Sequence, residues 1–218
     1  MQNILITGCS SGIGLETALI LKRNNYKVYA SARKAKDIEM LEKLGFETFK
    51  IDVRNKEEIK YALETILRND LKLDAIFNNA GFGQPGAVED VSVEVLKEQF
   101  DTNFFGLHEV TLQTMKIFRK QGFGKIIQHS SVLGLISLKY RGAYNASKYA
   151  IEGINDTLRQ EVIGSNIFIS TVNTGPVTSK FRENALKKFN ENIDIQNSYF
   201  SEVYKKELKT RLETKEDK

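Results

Sequence analysis

The stretch NILITGCSSGIG, residues 3–14, joins a short apolar run to a glycine-rich turn and leads into LETALILKR, whose apolar residues recur at helical spacing. A buried strand, a glycine turn and a helix in that order form the first unit of a parallel α/β sheet, and the same rhythm continues outward from it. Strands are predicted at 3–7, 27–31, 47–51, 75–78, 125–129 and 167–173, and helices at 12–24, 35–44, 56–68, 93–120 and 144–162. This is the pattern of a single doubly wound, Rossmann-type α/β domain with a mainly parallel sheet of at least six strands.

Length and composition agree with that reading. The chain has 218 residues, room for one sizeable core, with 41% hydrophobic and 28% charged residues. Its net charge of +4 comes from 32 basic and 28 acidic residues scattered along the chain, which reads as a mixed-sign surface rather than a nucleic-acid footprint. Cys9 is the only cysteine, so no internal disulfide can form, and a reducing compartment fits. The N-terminus enters a strand at once, and no apolar run has the length of a membrane span; the expectation is a cytoplasmic protein with no membrane or nucleic-acid partner.

The turn at residues 7–14 has the glycines that let a backbone approach a pyrophosphate, and the following helix offers its free N–H groups to that anion. Gly8, Ser10, Ser11, Gly12, Ile13 and Gly14 are therefore candidate cofactor ligands. The carboxylate that would bind an unphosphorylated ribose belongs about 20 residues further on. This chain has Ser31, Ala32 and Arg33 there. A guanidinium in place of a carboxylate favours a 2′-phosphate and hence NADP(H), unless Arg33 simply faces solvent. Asp52, after the third strand, is placed either to meet the adenine amino group or to serve a turn.

Tyr144 and Lys148 stand four apart at the start of a predicted helix and share one face. An ammonium beside a phenol favours the phenolate and brings its pKa toward working pH, which makes Tyr144 a usable general acid/base. Ser131 lies past the end of the fifth strand, where parallel sheets present catalytic loops. His108 and His129 are isolated from any carboxylate or cysteine cluster and read as structural, so no metal site is expected.

TGCSSGIG at 7–14, NNAG at 78–81, Asn103 in DTNFFG, the Ser130–Ser131 pair, YNASK at 144–148 and GPV at 175–177 occur in one order. Together they resemble the short-chain dehydrogenase/reductase family, most closely its 17β-hydroxysteroid and retinol dehydrogenase branch. The resemblance runs from residue 1 to about 180. It implies an NADP(H)-dependent oxidoreductase interconverting a carbonyl and an alcohol, with Tyr144 as acid/base, Ser131 rather than Ser130 on the substrate oxygen, Lys148 on the nicotinamide ribose and Asn103 holding a water that leads to the lysine. It also implies cofactor contacts from Val53, Asn79, Ala80, Gly81, Pro176, Val177 and Ser179, and a homodimer.

Residues 1–177 read as the cofactor-binding catalytic part, and 178–218 as a helical, loosely packed substrate-side segment with a charged tail of the same domain. No apolar strand follows Phe200, so the family's seventh strand is expected to be missing. Leu133, Leu135, Ile136 and Leu138, with Phe82 across the cleft, point to a small apolar or amphipathic substrate. The competing function is an NADP(H)-binding regulatory or sensor protein with little turnover, against which the complete set Tyr144, Lys148, Ser131 and Asn103 argues. A nucleotide-sugar epimerase is disfavoured, because its glycine loop is one residue shorter.

Overall fold

The computed structural model describes residues 1–206. Its strands are β1 (Asn3–Ile6), β2 (Lys27–Ala32), β3 (Glu47–Lys50), β4 (Ala75–Asn78), β5 (Gly124–Ser131) and β6 (Ile167–Thr174). All pair in parallel, in the order β3-β2-β1-β4-β5-β6. The order reverses between β1 and β4, and ligands of doubly wound sheets bind outside the strand ends at such a point.

The strands are connected and covered by α1 (Gly12–Arg23), α2 (Ala35–Lys43), α3 (Lys56–Asp70), α4 (Val93–Phe100), α5 (Leu107–Gln121), α6 (Gly142–Glu161) and α7 (Phe181–Asn192). All four residues of β1 are buried, as a central strand covered on both faces requires. Because side chains alternate along a strand, Leu5 joins a core with Ile59, Ile66, Val110 and Phe118 from α3 and α5. Ile4 and Ile6 join the opposite core with Ala18 and Leu41 from α1 and α2. Asn55 caps α3 by accepting from the N–H groups of Glu57 and Glu58, and Ser92 caps α4 through Val95.

Two departures from the sequence expectation matter for the site. The helix expected over 93–120 is interrupted by a π turn at Asp101–Gly106, which separates α4 from α5 and buries Asn103. The segment after β6 is also packed more firmly than expected. Phe189, Ile193 and Tyr204 form a third core with Ala87, flanked by Tyr140 and Phe200. The Tyr204 hydroxyl donates to Asp90 and accepts from the N–H of Ala87, and Asn192 donates to Gln84 at 2.8 Å. These contacts tie α7 and the helical residues 201–206 to the loop that leaves β4. Among the described residues no strand follows β6; most of the charged tail, 207–218, lies outside them.

Candidate active site

The turn after β1 lies directly against the segment after β4. Gly8 has φ of 74°, and a Cβ there would sit 2.8 Å from the Ala80 Cα; a Cβ on Gly14 would sit 2.4 Å from the Asn79 amide nitrogen. Asn79 donates to the carbonyls of Thr7 and Gly8 at 2.9 and 3.0 Å, while the Thr7 hydroxyl accepts from the N–H groups of Asn79 and Ala80. These bonds hold the glycine turn and residues 79–81 as one unit across the sheet's switch point. Ser11 occupies the N-cap of α1 without a side-chain capping bond, and no acidic residue lies in the first turn. The first amides of α1, from Gly12, Ile13 and Gly14 onward, are thus left for an outside acceptor, and an anion fits their charge. Ser10 is exposed beside them.

The loop after β6 approaches the same turn: a Cβ on Gly12 would lie 3.2 Å from that of Ser179. Pro176 and Val177 are exposed on that loop. The Val53 side chain, by contrast, packs in the main core, which leaves only its backbone for a ligand.

At the ends of β2 and β3 an open cleft is lined by Arg33, Lys50, Asp52, Arg54, Asn55 and Glu58. Arg33 is exposed. Both oxygens of Asp52 are taken by Arg54, at 2.9 and 2.6 Å. Those bonds hold the Asp52 carboxyl below the ordinary carboxylate range against the opposing effect of burial, and the positive charge of Arg33 adds to them. The Asp52 carboxylate therefore sits at the edge of this cleft paired with Arg54.

Tyr144 and Lys148 share one face of α6, with the Lys148 Nζ 5.5 Å from the centre of the Tyr144 ring. Lys148 is buried and donates to the carbonyl of His129 at 2.6 Å. Burial lowers its pKa to about 8, with the charge of Glu152 opposing the shift. Burial also raises the pKa of Tyr144, and the nearby Ser131 hydroxyl opposes that shift. The Ser131 Oγ accepts from the N–H of Leu133 and donates to the carbonyl of Thr174. Ser130 is fully buried, with its hydroxyl unpartnered among the described residues, so it cannot reach the cleft.

The Asn103 side chain is committed to other groups. Its oxygen accepts from the N–H of Phe82, and its nitrogen donates to the Phe82 carbonyl and to Ser147. It clamps the loop after β4, which leaves a water the Asn103 backbone and the second lone pair of its side-chain oxygen. The arrangement as a whole can hold a phenol, an ammonium and a serine hydroxyl around one acceptor oxygen, beside a cradle for a phosphate-bearing cofactor.

Comparison with known proteins agrees with this geometry. Residues 2–190 match the family model described as short chain dehydrogenase. The chain belongs to the short-chain dehydrogenase family. Over 184 residues it is 45% identical to an uncharacterized oxidoreductase, YbbO, of Escherichia coli K12, covering 84% of this chain and 68% of the relative. It is 34% identical over 197 residues to retinol dehydrogenase 8 of Bos taurus, covering 86% of this chain and 62% of that protein. Among solved structures, actinorhodin polyketide ketoreductase with NADPH superposes with a TM-score of 0.79 at 27% identity, over 93% of this chain and 79% of that one.

This short-chain dehydrogenase, an oxidoreductase by family, also has site residues that sequence patterns alone do not single out. Arg54 is one; its only local signal is the Asp-x-Arg spacing in the turn after β3. Phe181 is another. Its ring meets the Tyr144 ring edge-on, with centroids 5.5 Å apart, an approach set by the path of the chain after β6. Cys9 is buried, its thiol pushed up to about 12 by burial, and fills space. His108 stacks on Phe104.

Proposed function

We propose that the protein is an NADP(H)-dependent oxidoreductase that interconverts a carbonyl and an alcohol, with Tyr144 as the general acid/base. The observation that carries this reading is Tyr144 lying beside Ser131 at the cleft, with the Lys148 ammonium 5.5 Å from its ring and one helical turn away. Ser131 holds the substrate oxygen. In reduction Tyr144 gives its proton to that oxygen, and in oxidation it takes the proton back. The charge of Lys148, retained below a pH of about 8, stabilises the phenolate that remains. A nicotinamide nucleotide bound at the glycine turn supplies or accepts the hydride.

The residues around the cleft fit that cofactor. The bare amides of α1, with Gly8, Ser10, Ser11, Gly12, Ile13 and Gly14, would receive the pyrophosphate. Arg33 would pair with the 2′-phosphate, and Asp52 and Val53 would flank the adenine. Asn79, Ala80 and Gly81 would border the nicotinamide ribose, which Tyr144 and Lys148 contact, and Pro176, Val177 and Ser179 would cover the nicotinamide. The ketoreductase that shares this fold was solved with NADPH, which supports the choice of cofactor.

The substrate is a small apolar or amphipathic carbonyl or alcohol compound. Phe181 on Tyr144 and the exposed Leu135, Ile136 and Leu138 support this, as does similarity to a protein named for retinol. Residues 1–177 would form the cofactor and catalytic part, and the segment from 178 the substrate side. The exposed Phe105 and Leu112 support a homodimer. We place the enzyme in the cytoplasm; among the described residues no helix is long and apolar enough to cross a membrane. The test is NADPH oxidation by the purified protein against a panel of aldehydes, ketones and keto-steroids. Turnover on an apolar member supports the reading. Tight NADPH binding with no turnover across the panel would replace it with a sensor function.

A further inference from the structure

One half-buried polar side chain at this site has no part in the proton transfer, and its bonds link the parts that build the site. His129 lies on β5 with its ring packed against Phe77 at a centroid distance of 5.7 Å. Its Nδ1 lies 2.9 Å from the Asn79 amide oxygen, and its Nε2 lies 3.0 Å from the Thr174 hydroxyl. Its backbone carbonyl is the acceptor for the Lys148 ammonium.

Partner chemistry fixes the protons. The Asn79 nitrogen is committed to two carbonyls, those of Thr7 and Gly8, so the amide cannot turn over without setting oxygen against oxygen. Its oxygen therefore faces the ring, and an amide oxygen only accepts, so Nδ1 carries the hydrogen. The neutral ring then has a lone pair on Nε2, and the Thr174 hydroxyl donates to it. Burial and the nearby Lys148 charge both disfavour the imidazolium, in agreement with this tautomer.

We propose that His129, as the neutral Nδ1–H imidazole, is a positioning residue that holds the glycine turn, Ser131 and Lys148 in one frame. Through Asn79 it braces the carbonyls of Thr7 and Gly8, on which the cofactor turn is built. Through Thr174 it braces the strand end whose carbonyl receives the Ser131 hydroxyl. Its carbonyl receives the lysine directly. An aliphatic residue of similar size would fill the space but leave the Asn79 oxygen and the Thr174 hydroxyl without partners, and the Asn79 amide free to turn away from the loop.

The proposal rests on the assigned roles of the glycine turn and Ser131, so its test includes a readout independent of both. Nitrogen-15 spectra of the wild-type imidazoles should show His129 protonated at Nδ1 and bare at Nε2; the opposite tautomer would overturn the proposal whether or not the protein turns over any substrate. His129→Leu removes both side-chain bonds, His129→Asn keeps a donor near Nδ1, and His129→Gln keeps an acceptor near Nε2. By equilibrium titration with NADPH, His129→Leu should bind about tenfold more weakly, while His129→Asn should stay within about threefold of wild type. At saturating NADPH, turnover should fall in His129→Leu and His129→Asn and be largely restored in His129→Gln. Wild-type NADPH affinity and turnover in His129→Leu would overturn the proposal. So would an equal loss in all three variants that simply followed their thermal stability, since that is the mark of packing alone.

Discussion

The Lys148 Nζ lies 5.5 Å from the centre of the Tyr144 ring, in a pocket that disfavours charge on both groups. Burial alone would keep the tyrosine protonated and push the lysine toward neutrality, so the ion pair becomes favourable only when one charge answers the other. Lys148→Met should therefore move the acid-side limb of alcohol oxidation, along which Tyr144 must lose its proton, upward by about one pH unit or more. Cofactor affinity should fall with it, because the ammonium no longer reaches the ribose. A pH–rate profile paired with NADPH titration checks both; an unshifted limb would remove Lys148 from the proton chemistry.

Cofactor choice is the second expected outcome. Arg33 opens onto the cleft at the ends of β2 and β3, whereas Arg54 is already held by Asp52. Arg33→Ala should cost about 1.5–3 kcal/mol in NADPH binding and leave NADH binding nearly unchanged. Arg54→Ala should cost less, since its guanidinium leaves one partner to meet another. Calorimetric titration of the wild type and both variants with both cofactors is the measurement, and equal wild-type affinity for NADPH and NADH would contradict the assignment.

Much of this architecture is readable from residue patterns. The apolar runs of β1 and β4 and the glycine turn place the switch point, and the four-residue spacing of Tyr144 and Lys148 on a helix places one face of the site. The π turn at Asp101–Gly106 is not readable in that way. Its residues DTNFFG are weak helix formers, but weak propensity does not distinguish a π turn from a helix end, and the turn is stabilised by tertiary bonds from Asn103 to the backbone of Phe82. The packing of Phe189, Ile193 and Tyr204 is hidden for a related reason. These residues follow no single helical period and find their partner in Ala87, about a hundred residues away in the chain. The bonds of His129 depend on strands β4 and β6 lying on either side of β5, which no local window contains.

Acid should reveal the same histidine. Burial holds the His129 pKa down to about 4 in the folded protein, against 6.5 for the free side chain. Between those values the unfolded chain binds a proton that the folded chain refuses, so stability rises with pH across the window and is lost as pH falls through it. The contribution should reach roughly 2–3 kcal/mol. Urea unfolding of the wild type and His129→Asn at neutral pH and at about pH 4.5 should show the wild type losing more by that amount. An identical acid response of the two proteins would contradict the neutral, buried state.

The Phe181 ring covers one edge of Tyr144 and so borders the space a substrate must enter. Phe181→Ala should raise KM for apolar substrates by roughly tenfold, the scale on which an aromatic ring stabilises an apolar neighbour, with a smaller change in kcat. Steady-state kinetics on two substrates of different apolar length provides the check. A fall in kcat alone, with KM unchanged, would place Phe181 in support of Tyr144 rather than at the substrate.

The proposed mechanism turns on Tyr144 carrying the proton, and Tyr144→Phe probes that role with the least disturbance, since it removes one hydroxyl and leaves the ring against Phe181. The measurement is single-turnover NADPH oxidation with the best substrate of the panel, alongside NADPH titration of the same variant. The rate should fall by at least about 10²–10⁴-fold while cofactor affinity stays within a few-fold of wild type. Wild-type turnover in Tyr144→Phe would show that another group moves the proton.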